Sequence, residues 1–118
     1  MDSALPSRIV CLTEETTETL YRIGEADRIV GISGFTVRPR QARKEKPRVS
    51  AFTSAKIDKI LALSPDLVLG FSDLQADIAR ELIKAGASVM VFNHRSIEGI
   101  IGMMRTLGAM VGAAQRAE

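Results

Sequence analysis

Cysteine, histidine and aromatic residues are all scarce in this chain, and each scarcity closes off a chemistry. One cysteine, Cys11, among 118 residues excludes an internal disulfide and any thiolate cluster for zinc or iron–sulfur. One histidine, His94, excludes the multi-histidine sites of most catalytic zinc enzymes. Tryptophan is absent and tyrosine occurs once, so four phenylalanines carry nearly all the aromatic surface. No apolar run approaches the length of a membrane span. Met1 to Ser7 carries Asp2 and no apolar stretch, so no secretory signal is expected there.

What is present is a core-forming composition, 46% hydrophobic and 25% charged, with length for one domain and not two. The net charge of +2 hides an uneven distribution. Arg38, Arg40, Arg43, Lys44, Lys46 and Arg48 crowd one segment against a single acid, Glu45, while acids outnumber bases over the rest. The high isoelectric point therefore belongs to one segment, read as a solvated loop. Its lack of interleaved aromatics argues against a nucleic-acid module working through residues 38–48.

Two apolar patterns alternate. Ile9-Val10-Cys11-Leu12, Ile29-Val30-Gly31-Ile32, Leu67-Val68-Leu69 and Val89-Met90-Val91-Phe92 are short runs of buried-strand type. Helical stretches lie between them. Thr16 to Ile23 stops at Gly24 and Ala76 to Ala85 at Gly86, each glycine suiting a cap with positive φ. Ile57, Ile60, Leu61 and Leu63 form a helical stripe halted by Ser64-Pro65-Asp66. Ser96 suits the cap of a last helix bearing Ile97, Ile100, Ile101, Met104, Leu107 and Val111, ending near Gly108 or Gly112. This order predicts a Rossmann-like, three-layer α/β unit with a parallel sheet of about four strands. Residues 1–112 form that unit; 113–118 read as the opening of another helix, cut short.

Ligands of such sheets meet the carboxyl ends of the strands. There the sequence places Thr13, Glu14 and Glu15 after the first strand, where helix capping is the commoner role. Phe35 follows the second strand, Arg38 opens the basic segment, and Phe52 closes it. Phe71 follows the third strand, and His94 and Arg95 the fourth. Aromatic faces on one rim suit a flat, bulky, partly apolar ligand, and an arginine suits an anionic group on it. Catalytic motifs fail: there is no Gly-x-Gly-x-x-Gly, no phosphate-cradling loop and no nucleophile elbow. A phosphoacceptor receiver fails as well, since Leu69-Gly70 stands where it needs an aspartate. No enzyme is expected.

Arg8 to Leu12, Thr17-Glu18-x-Leu20-Tyr21-x-x-Gly24 and Asp27 to Ile32 resemble the opening of the class III substrate-binding proteins of ABC importers. The run Ile57 to Leu69, with its Ser64-Pro65-Asp66-Leu67-Val68, is similar to that family's helix-turn-strand signature. Ser96-Ile97-Glu98 and Arg105-x-Leu107-Gly108 continue the likeness. The resemblance implies two α/β lobes joined by a rigid helix, this chain supplying the first lobe. It implies a metal chelate held between the lobes (cobalamin, an iron-siderophore or haem), with no resident cofactor and no protein-held metal. Phe35 and Phe52 fall where the vitamin B12-binding member presents aromatic rings, and Asp58 where the family carries an acid that docks onto permease arginines. Glu14 and Val37-Arg38-Pro39 depart from the family pattern, which leaves the ligand open between cobalamin and an anionic chelate.

The expectation is thus a non-enzymatic binding lobe with a small metal chelate and an ABC permease as partners. Neither nucleic acid nor membrane insertion is expected. The family implies a periplasmic setting; a native start at Met1 implies a cytoplasmic one. The alternative is a cytoplasmic relative of the fold that binds a tetrapyrrole without transport.

Overall fold

The computed structural model describes residues 5–34, 36, 39–50, 56–72, 75–94 and 96–113. Five strands make one parallel sheet: β1 (Ile9–Cys11), β2 (Ile29–Ser33), β3 (Arg48–Ser50), β4 (Leu67–Phe71) and β5 (Val89–Phe92). Their spatial order is β3-β2-β1-β4-β5. The helices are α1 (Glu14–Arg22), α2 (Arg40–Glu45), α3 (Ile57–Ala62), α4 (Ala76–Lys84) and α5 (Ile97–Met110). A 3-10 turn at Ala26–Arg28 leads into β2.

Strand β1 lies in the middle, and neighbouring residues along it serve opposite layers. Ile9 and Cys11 of β1 join Leu20 and Ile23 with Met103, Leu107 and Val111 of α5 in one core cluster. Val10 and Leu12 join Ile60 of α3 with Ile78 and Leu82 of α4 in the other. That period of two explains why the strands read as continuous apolar runs: both faces are covered. The result is a three-layer α/β/α unit. Burial pushes the Cys11 thiol up to about 11, although Thr16 and Thr17 hydrogen-bond it.

Helix ends follow the expected chemistry. Gly24, Gly86 and Gly112 all take positive φ just past a helix, and Ser96 accepts the Gly99 N–H at 3.0 Å to cap α5. The turn before β4 is built by two side chains. Asp66 accepts the Ser7 and Arg8 amides at 2.9 and 3.0 Å and the Ser7 hydroxyl at 3.1 Å. Arg8 returns to the Leu63 carbonyl through Nη2 at 2.6 Å and Nε at 3.0 Å. Partial burial alone pushes the Asp66 carboxyl up, but these donors outweigh it and hold the group below the usual range.

Two expectations are corrected. The basic segment is not a plain loop, because it contains α2 and the additional strand β3. Its charges are partly employed: Arg43 donates to the carbonyls of Gly34 and Thr36 at 3.3 and 3.2 Å, and Glu45 accepts the Tyr21 hydroxyl at 2.7 Å. The apolar positions of α5 also divide. Met103, Leu107 and Val111 are buried, whereas Ile97, Ile100 and Ile101 in its first two turns are exposed.

Candidate functional site

From β1 the chain winds outward through β2 to β3, then crosses to β4 on the other side of β1. The strand order reverses between β1 and β4, and a crevice opens at such a point above the carboxyl ends. One side chain ties its two sides together. Gln75, 1% exposed, accepts the Phe71 N–H at 2.8 Å and donates to the Leu12 carbonyl at 3.1 Å. Gly70 leaves room for it, since a Cβ there would lie 3.2 Å from Gln75 Oε1. Sequence patterns carry no signal for this residue, because the two backbone groups it serves meet only in the folded sheet.

Beside this clamp, Phe71 and His94 are brought together. Strands β4 and β5 are neighbours with Phe71 opposite Phe92, and the Phe71 and His94 rings lie 4.7 Å apart at 47°. The Cβ of His94 lies against the first turn of α5, where a Cβ on Gly99 would come within 2.5 Å of it. Ser72 adopts positive φ and donates its amide to the Phe92 carbonyl at 2.6 Å. Phe92, expected to be a packing residue, is half-buried against the core.

The same edge holds polar atoms in want of partners. Thr36 Oγ1 after β2, Ser50 Oγ at the end of β3 and His94 Nδ1 after β5 are buried without a hydrogen bond. Such atoms are costly in a packed interior, and three of them fringe the end of the sheet at which ligands bind in this class of fold.

The remaining candidates separate. Thr13 is buried at the start of α1, where its carbonyl accepts the Thr16 and Thr17 hydroxyls at 3.3 and 3.0 Å. Glu14 is half-buried in the first turn. Glu15 is exposed and lines a hollow of about 140 Å³ between α1 and α5. Asp58 is exposed in the first turn of α3. Phe35, Arg38, Phe52 and Arg95 lie outside the described residues, as does most of 113–118. Among the described residues no group of His, Cys, Asp and Glu could hold a metal ion, and no helix is long and apolar enough to cross a membrane.

Comparison with known proteins gives this geometry a context. Residues 9–118 match the family described as periplasmic binding protein. A cobalamin-binding protein of Halobacterium salinarum is 28% identical over 109 residues, covering 91% of this chain and 30% of its own length. A periplasmic heme binding protein from Pseudomonas aeruginosa superposes with a TM-score of 0.86 at 27% identity, over 96% of this chain and 41% of that one. The periplasmic vitamin B12 binding protein of Vibrio cholerae superposes with a TM-score of 0.78 at 25% identity, over 95% and 45%. The chain therefore spans less than half the length of these relatives.

Proposed function

The chain belongs to the periplasmic binding protein family, and from that premise we propose that it forms one lobe of a solute-binding protein. Its ligand is a metal chelate of the kind its relatives are named for, cobalamin or haem, captured without chemical change. The metal arrives inside the chelate, in keeping with the poverty of His and Cys. A second lobe completes the cleft. The full protein works outside the cytoplasm and delivers its ligand to an ABC permease, with Asp58 on the docking face.

The observation that carries this reading is the Phe71–His94 pair beside the β1/β4 crevice. A tilted aromatic–imidazole pair offers an apolar face to a macrocycle, and the unpartnered polar atoms along the rim suit its peripheral groups. Spectral titration of the full-length protein with cyanocobalamin and with hemin tests it. Saturable binding of one of them should weaken by roughly five- to thirtyfold in Phe71→Ala, the loss of one stacked ring at about 1–2 kcal/mol. Failure of both chelates to bind, or a Phe71→Ala variant that binds normally, would overturn the reading.

A further inference from the structure

The far side of β5 is an open sheet edge with a groove beside it, distinct from the strand-end crevice. Strand β5 pairs with β4 alone. The Val68 amide reaches the Ser88 carbonyl and the Ser72 amide the Phe92 carbonyl, so Ser88, Met90 and Phe92 point their main-chain groups toward β4. In a parallel strand alternate residues face opposite ways. The N–H and C=O of Val89 and Val91 therefore point outward, with no strand beside them among the described residues.

Against this edge lies a groove of about 410 Å³, lined by Ala76, Ala79, Arg80, Ile83, Lys84 and Val91 together with Ser72 and Asn93. Ile83 is 57% and Val91 39% exposed, so large apolar side chains form its open floor. Arg80 and Lys84 stand one turn apart on α4, and neither has an ion pair among the described residues. Unpaired strand edges are templates for further strands, and proteins commonly blunt them by bulges, proline or covering loops. Neither a bulge nor a proline is present between Val89 and Phe92.

We propose that this edge and groove receive an extended acidic segment of a partner protein, added as a sixth strand beside β5. Its main chain pairs with Val89 and Val91. Every second side chain points to the α4 face of the sheet; there apolar ones cover Val91 and Ile83 and carboxylates meet Arg80 and Lys84. Charge decides against a second copy of the chain. Two β5 edges paired about a twofold would oppose the same cations, and the other edge, β3, begins with exposed Arg48.

The test uses a fluorescent peptide in which valine and glutamate take turns at every second position with threonine between them, so that both face α4, its counterpart with lysine for glutamate, and the folded protein. The acidic peptide should bind and slow amide exchange at Val89 and Val91, and the basic one should not. Val91→Pro removes an outward N–H without touching the ladder to β4, a position where proline is tolerated, and should weaken binding about tenfold or more. The double variant Arg80→Glu with Lys84→Glu leaves the strand intact and should weaken it comparably. No binding at millimolar peptide would overturn the proposal. So would equal binding of the two peptides, indifference to the charge reversal, or a Val91-dependent dimer detected by light scattering.

Discussion

Replacing Gln75 isolates the contribution of the clamp across the β1/β4 crevice. Gln75→Met keeps side-chain length and removes both polar ends, stranding the Phe71 N–H and the buried Leu12 carbonyl. A buried group deprived of its partner costs about 1–3 kcal/mol, so the pair amounts to roughly 2–6 kcal/mol against a usual total of about 5–15 kcal/mol. With a urea slope of about 1–2 kcal/mol per molar, the midpoint should fall by roughly 1–6 M. Gln75→Glu adds a signature of its own. A charged carboxylate there still accepts from Phe71 but faces the Leu12 carbonyl with no proton, in a site 1% exposed. Burial and that carbonyl both raise the introduced group's pKa in the folded state. Folding then takes up a proton. The deficit relative to the parent protein should be small below about pH 4, where the acid is protonated in both states and its hydroxyl donates to Leu12. It should grow as pH rises toward the folded pKa. Urea unfolding of all three proteins between pH 4 and 8 is the measurement. A Gln75→Met midpoint unchanged from the parent, or a Gln75→Glu deficit independent of pH, would refute the assignment.

Asp66→Ala should cost about 1–3 kcal/mol at neutral pH, since three donors from Ser7 and Arg8 lose a charged acceptor. Because the folded carboxyl lies below its ordinary range, that stability is present above about pH 4 and is lost as pH falls through the folded pKa; parent and variant should converge in acid unfolding. Cys11, buried with a thiol pushed up to about 11, should resist a thiol-disulfide reagent at pH 8 and react at once in denaturant; ready labelling of the folded protein would contradict the packing. Asp58→Arg in the full-length protein should abolish transport while leaving ligand affinity unchanged, as read by radiolabelled uptake beside spectral titration. Unaltered uptake would reduce Asp58 to a charge at a helix end, worth about 0.3–1 kcal/mol.

What the sequence disclosed followed from which signals survive in single residues. Four strands stood out as short apolar runs, β1, β2 and β4 because both faces are covered and β5 although it is only partly buried, and helix ends stood out because Gly24, Gly86 and Ser96 act locally. The neighbouring placement of Phe71 and His94 was legible as a shared rim, since both follow strand ends. Strand β3 was not legible, because only Val49 of its three residues turns inward and a single apolar position has no period. Helix α2 escaped for the same reason, with Ala42 its one buried residue, although Arg, Gln, Ala, Lys and Glu are all strong helix formers. Glu14 and Glu15 are neighbours in sequence, but successive helical residues turn by about 100°, and Glu15 lines the α1–α5 hollow. Gln75 left no trace, since its partners are far apart along the chain and meet only when β4 docks on β1.

The central place of β1 sets an order of events during synthesis. Ile9 to Cys11 are synthesised before the other described strands, yet their second neighbour, Leu67 to Leu69, follows more than fifty residues later. The clasp that closes that junction, Asp66 on Ser7 and Arg8, likewise waits for the later segment. Until then one edge of the most apolar strand has no neighbour. Pairing over such separations is slow, and exposed apolar edges invite self-association while it proceeds. The nascent chain thus has a built-in interval in which it stays unfolded, and a holding chaperone or a translocation channel that engages extended polypeptide would find β1 accessible for most of that time.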